Sequence, residues 1–426
     1  MERLQRVQPP VFPFEKVIIP EATTYRLNNG VPVYLIEAGN EEIIRMEFTF
    51  RAGQIKELLP LLSSTTNMML TEGSQNYTSE ELNRLIDYYG AFLNLTSEKD
   101  RAGIVVFFLN KHIEKILELC LEILFRPLFP ETELNSLMRK RLSWYHVNSE
   151  KVQNLAIDKF FESIFGKSHQ YGYQLKDQDF IMLTPALLTD FHKKNYTPEN
   201  MAVIISGSIP EKTTELLNKY FGNIDSEKTL TEGSQTNLKG EKRKKIHIDK
   251  MGTVQSAIRI GSTTINKRHP DYIGLKILDS ILGGYFGSRL MKNIREEKGY
   301  TYGISSTVSS LDLTGYKVIS TEVSGENCRK AIDEIYKEIQ LLQHEPVTKE
   351  ELKVVRNYMA GEILRMFDGP FALAESFKSA WEFGLDNNYY YRLAEKIKSI
   401  EPDEIIDLAR TYYNIDGLYE ITVGSK

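Results

Sequence analysis

The chain has 426 residues, 41% hydrophobic and 26% charged, and that much apolar material excludes a mainly disordered protein. Lys and Arg total 53 and Asp and Glu 58, a net charge of −5, so the basic excess usual in a dedicated nucleic-acid binder is missing. At roughly 100–200 residues per domain, the length fits two to four domains or a duplicated unit.

The N-terminus, Met1 to Arg6 followed by prolines, has no apolar segment of the kind a secretory signal needs. No apolar run approaches the length of about 18 residues that a membrane helix requires. A cytoplasmic protein without membrane or nucleic-acid partners is expected. Residues 24–38 read as a hairpin around Asn28, Asn29 and Gly30. A strand at 43–50 and a helix at about 58–71 follow. A second helix begins at Ser79, an N-cap candidate with Glu80 and Glu81 in its first turn, and ends before Gly90. Strands at 92–96 and 103–109 precede a helix whose apolar stripe is Ile113, Ile116, Leu117, Cys120, Leu121 and Leu124. Cys120 in that stripe reads as a buried thiol. Helices at 131–165 and 184–194, a strand at 201–206 and a short helix at 210–220 close the first half.

Residues 226–243 are polar, lack an apolar period and read as a linker ending in the basic run Lys242 to Lys245. That run reads as a solvated approach to a strand. A strand at 256–260, helices at 270–282 and 286–297 and strands between 302 and 322 come next. A helix with Cys328, Ala331, Ile332, Ile335, Tyr336 and Ile339 on one face then begins. The stretch from Pro185 to Tyr196 and its following strand is echoed by Pro402 to Tyr413 and the strand at 418–424, a period of about 215 residues. The predicted architecture is α+β: two homologous domains, 1–225 and 244–426, each a mostly antiparallel sheet covered by helices.

Common catalytic motifs are absent: there is no GxGxxG, P-loop or GxSxG. The 7 histidines are scattered, so no helix offers a metal the usual His pair. His112, His146 and His192 read as surface or satisfied core residues.

The segment from Leu282 to Leu290, then Ile294 to Gly303, resembles the second domain of the pitrilysin/insulinase family of zinc peptidases, especially its short-chain, processing-peptidase-like members. Gly73-Ser74 and the segment from Gly90 to Thr96 resemble the stretch just after the zinc helix of that family. The resemblance covers nearly the whole chain and implies the fold of those metallopeptidases. Their signature is H-x-x-E-H on a helix, two His on one zinc with the Glu as general base, and a distant Glu as third ligand. Counting back from Gly73, Ser64 and Met68 stand at the His positions and Asn67 at the Glu position. Hydroxyl and thioether are poor zinc ligands beside imidazole, and an amide is no base. The third-ligand region, 140–149, has no Glu, and Glu150 is the nearest.

The resemblance therefore implies a subunit with no catalytic residue or metal of its own. Zinc is expected in a zinc-bearing homologous partner. By motif position Arg295 and Tyr302 are the family's substrate-binding pair, donors that hold a peptide near the scissile bond. The bland alternative is Arg295 paired with Glu296 or Glu297 and Tyr302 an ordinary strand aromatic. The implied function is the zinc-less half of a heterodimeric metalloendopeptidase acting on peptides. The alternatives are a scaffold resembling the complex III core proteins and an independent peptidase with ligands elsewhere. The Gly-rich loop of the mitochondrial zinc-less subunit is missing, so the bacterial relatives are the nearer likeness.

Overall fold

The computed structural model describes residues 19–225 and 238–425, so residues 226–237 of the expected linker lie outside the described residues. In the first half, β1 (Thr23–Arg26) and β2 (Pro32–Glu37) form the expected hairpin. Gly30 takes φ +88° in its turn, a conformation that favours glycine. β3 (Ile43–Phe50) leads to α1 (Leu62–Met68). This helix starts later than the expected residue 58 because Leu61 sits in the left-handed region at φ 68°. α2 (Ser79–Tyr88) is capped by Thr78, one residue before the expected cap, in a reciprocal capping box with Glu81.

Next come β4 (Phe92–Ser97), β5 (Ala102–Leu109), α3 (Ile113–Phe125), α4 (Glu131–Ser149), α5 (Val152–Phe165), α6 (Pro185–Asn195), β6 (Met201–Gly207) and α7 (Thr213–Phe221). Cys120 is buried in α3, and burial pushes its thiol up to about 12. The first sheet runs β1-β2-β6-β3-β5-β4, with β2 and β6 parallel and every other pair antiparallel. Its core packs Phe48, Phe50 and Ile104 against Leu117, Leu188 and Phe221 of the covering helices.

The second half opens with β7 (Lys245–Asp249), then β8 (Gln255–Thr264) and α8 (Tyr272–Asp279). α8 runs into a π-helical turn, Ser280–Gly284, and a second π-helical segment spans Met291–Glu297. The remaining elements are β9 (Thr301–Ser310), β10 (Gly315–Ser324), α9 (Cys328–His344), α10 (Lys349–Met366), α11 (Pro370–Trp381), α12 (Asn388–Ser399), α13 (Pro402–Tyr412) and β11 (Tyr419–Gly424). Their sheet runs β7-β11-β8-β10-β9, with β7 and β11 parallel. This is the order β2-β6-β3-β5-β4 over again, down to the single parallel pair. The duplication reaches single contacts. Tyr196 beyond α6 accepts a hydrogen bond from Asn67 Nδ2 at 3.1 Å, and Tyr413 beyond α13 donates to Asp279 Oδ1 at 3.3 Å.

Each half covers the other's sheet with one helix. α5 sets Val152, Ala156 and Phe160 against Ala257, Ile421 and Val423 of the second sheet. In return α11 sets Leu373 and Ala374 against Ile36 and Ile204 of the first. Trp381 Nε1 donates to Tyr34 Oη at 2.8 Å across this contact. Charges buried there are paired, as burial demands: Glu47, fully buried, meets Arg45 and Lys378, each at 2.7 Å. Among the described residues no helix is long and apolar enough to cross a membrane.

Candidate functional site

α1 carries Ser64, Asn67 and Met68, and the fold sends them in different directions. Ser64 is half-buried, and its hydroxyl donates to the Leu61 carbonyl at 3.2 Å. Asn67 is buried, and its Nδ2 donates to the Gly103 carbonyl at 3.0 Å as well as to Tyr196. Met68 is 40% exposed. Asn67 is thus a bridge from helix to sheet rather than a group facing a ligand.

α4 lies beside α1 and answers it with a cation. Arg141 Nη1 donates to Thr65 Oγ1 at 2.6 Å and Nη2 to Ser64 Oγ at 2.9 Å. Spacing alone does not separate Arg141 from Arg139 and Lys140. Helix phase does, because the buried Leu134 and Met138 set a stripe on which residue 141 falls next. Glu150, just past the end of α4, is exposed and pairs with Lys250 of the second half. The residues do not fit a zinc ion. A hydroxyl, a thioether and an inward-turned amide form a poor donor set. A guanidinium bonded to the Ser64 hydroxyl repels a second cation.

Beside Ser64 a cavity of about 770 Å³ opens, walled by Glu57, Trp144, Asp158, Phe161 and Tyr171. Glu57 accepts a hydrogen bond from the Ser63 N–H at 2.8 Å. Burial pushes its carboxyl up to about 7, against the opposing pull of the α1 N–H groups and Arg141. Lys99 also borders the cavity, its ammonium 4.5 Å from the Phe161 ring centre, and burial pushes it down to about 8. No spacing rule marks Glu57, which comes from the irregular segment before α1.

The histidines stay apart. His192 is buried, bonds the Leu124 carbonyl at 2.8 Å and is driven down to about 4 by burial. His146 is exposed beside Asp177 at 3.0 Å. The His112 ring lies 5.3 Å from that of Tyr89.

In the second half, Arg295 and Tyr302 lie on consecutive elements. Arg295 belongs to the segment Met291–Glu297, which packs on β9. The Tyr300 N–H donates to the Ile294 carbonyl at 3.0 Å, closing the turn at Gly299, whose φ is +67°. Tyr302, near the start of the outermost strand, is 93% exposed. The Arg295 guanidinium lies over the Phe286 ring, its carbon 4.5 Å from the ring centre. Among the described residues it has no ion pair with Glu296 or Glu297, so the bland expectation for Arg295 is replaced by a cation–π contact. Sequence alone gives Phe286 no weight, since a lone aromatic in a turn has no distinguishing pattern.

Residues 62–177 match the model of the insulinase family, peptidase family M16, and residues 183–359 match that of the peptidase M16 inactive domain. The chain is 20% identical over 348 residues to the uncharacterized zinc protease YmxG of Bacillus subtilis, covering 80% of this chain and 83% of that protein. It is also 20% identical to the probable inactive metalloprotease YmfF of Bacillus subtilis, with 82% and 86% covered. The peptidase M16 inactive domain from Pseudomonas fluorescens superposes with a TM-score of 0.82 at 20% identity, over 95% of this chain and 98% of that one. With both of its domain models matched in order along the duplicated fold, the chain belongs to the insulinase family, as a member that lacks the H-x-x-E-H zinc motif.

Proposed function

We propose that this chain is the zinc-less subunit of a heterodimeric metalloendopeptidase. It lends Arg295 and Tyr302 to the zinc site of a homologous partner, where the two hold a peptide substrate. In this proposal the unit 1–225 carries the degenerate motif at Ser64, Asn67 and Met68, and the unit 244–426 carries the substrate-binding pair. The setting is the bacterial cytoplasm. One observation carries the reading. Tyr302 of the second half is 93% exposed and Arg295 is half-buried with no ion pair among the described residues, whereas in the first half Ser64 is spent on Arg141 and Asn67 on the core.

Bond breaking falls to the partner's metal. The guanidinium and phenol supply hydrogen-bond donors to a peptide carbonyl and to the charge that develops on it. The test is to purify the chain with a zinc-bearing homologue from the same genome and follow cleavage of a quenched fluorogenic peptide. Activity is expected only from the pair, and Arg295→Ala should lower turnover on the order of 100-fold, the usual cost of losing such a donor. A rate untouched by Arg295→Ala rules out the role in trans. A second reading, a scaffold with no peptidase role, draws support from the relative named a probable inactive metalloprotease. It expects a stable assembly that cleaves nothing.

A further inference from the structure

The turn between the two π-helical segments distributes its side chains unequally. Tyr285 points inward and stacks on Tyr358 of α10, with centroids 4.7 Å apart and planes at 23°. Gly287 makes room for it, since a Cβ there would stand 2.8 Å from the Tyr285 ring. Ser288 is buried, and Arg289 forks onto Glu351 at 2.8 and 2.9 Å. Both ends of the turn are therefore fastened to α10. Phe286 points the other way, 62% exposed, and carries the Arg295 guanidinium on its ring.

A single exposed aromatic is ordinary. An exposed aromatic on a fastened turn, lying under an arginine that no carboxylate among the described residues neutralises, is a different object. A guanidinium held over a ring by cation–π attraction is fixed in place while its N–H groups stay available to acceptors. We infer that Phe286 is a positioning and specificity residue of the Arg295–Tyr302 site. Its ring orients the guanidinium toward a peptide carbonyl, and its open side forms a shelf for a large apolar side chain of the same extended peptide. The inference rests on the proposed peptide-binding role of Arg295 and Tyr302. It makes Phe286 the contact for an aromatic or long aliphatic residue beside the carbonyl that Arg295 holds.

The test uses the purified pair described above and two quenched peptides that differ at one residue, Phe or Gly, next to the cleaved bond. Phe286→Ala should lower kcat on both peptides by about two- to fivefold, the usual worth of an exposed cation–π contact. It should also cut the preference for the Phe peptide in kcat/KM by about tenfold, through loss of the ring contact. Phe286→Tyr should restore both effects. Phe286→Leu should restore part of the preference but not kcat, because it offers an apolar shelf without a π face. A purely structural role would lower the melting temperature and leave the ratio between the peptides unchanged. If Arg295→Ala is impaired while Phe286→Ala matches the parent on both peptides, the inference fails and the role of Arg295 stands. If Arg295→Ala is unimpaired, or no pairing cleaves either peptide, the underlying reading fails and takes this inference with it.

Discussion

Removing the Arg141 guanidinium should loosen α1 from α4 by an amount that its contacts set. The fork donates to Thr65 Oγ1 at 2.6 Å and Ser64 Oγ at 2.9 Å. The two acceptors are not equal. Thr65 is fully buried, so its hydroxyl loses a charged donor and can recruit no water, at a cost of about 1–3 kcal/mol. Ser64 is half-buried and keeps its bond to Leu61, so its share is a few tenths by the same reasoning. Arg141→Ala should therefore cost about 2 kcal/mol in urea unfolding. Arg141→Lys keeps the charge but cannot fork, and should recover about half of that. Thr65→Val removes the acceptor at nearly constant shape, and a double-mutant cycle should give a coupling of about 1–2 kcal/mol with Arg141. A coupling near zero, or an Arg141→Met variant as stable as the parent, would refute the fork and leave only packing of the aliphatic stem.

Chelation by EDTA should leave the melting temperature of the isolated chain unchanged and release no stoichiometric zinc by mass spectrometry; a fall of several degrees would mean a metal site built from other residues. Phe160→Ala in α5 empties a site in the core under the second sheet and should cost about 3–5 kcal/mol, with hydrogen exchange speeding up in β8 and β11; protection lost only in the first sheet would contradict the packing. Burial holds Glu57 at about 7 in the folded chain, from an ordinary value of 4.5. The folded state therefore binds more protons than the unfolded one between those values, and stability should fall as pH rises through that window. The Glu57 contribution is on the order of 3 kcal/mol, and Glu57→Gln should flatten that part of the pH profile; an unchanged slope would place the titration elsewhere.

Local pattern made most of the strands legible. β3 and β5 are long, apolar and bounded by turn residues, and their limits match the expectation to within a residue. The duplication was legible because Pro185 and Pro402 start equivalent helices and Tyr196 and Tyr413 end equivalent buried contacts. The basic run pointed to a strand after it but gave no limits; β7 is short, and its parallel pairing with β11, distant in sequence, fixes them. The start of α1 escaped because one left-handed residue, Leu61, decides it. That Ser64, Asn67 and Met68 share a helix was legible, but not their directions. Only tertiary packing turns Asn67 into the core and brings Arg141 across from α4. The contact of Phe286 with Arg295 depends on a turn whose shape α10 imposes.

The crossing of α5 and α11 has a consequence for how such a chain can be divided. A polypeptide ending before β7 would hold α5 with no second sheet beneath it, and its own sheet would lack α11. Each fragment would expose an apolar stripe in solution and should aggregate or pair with itself. Expressed together, the two fragments carry complementary halves of both layers and should reassemble without a covalent link. A half-length chain of this design should be stable only as a two-fold dimer that trades one helix. The tandem arrangement therefore has the architecture of a fused dimer, in which equivalent places in the two halves are free to carry different side chains.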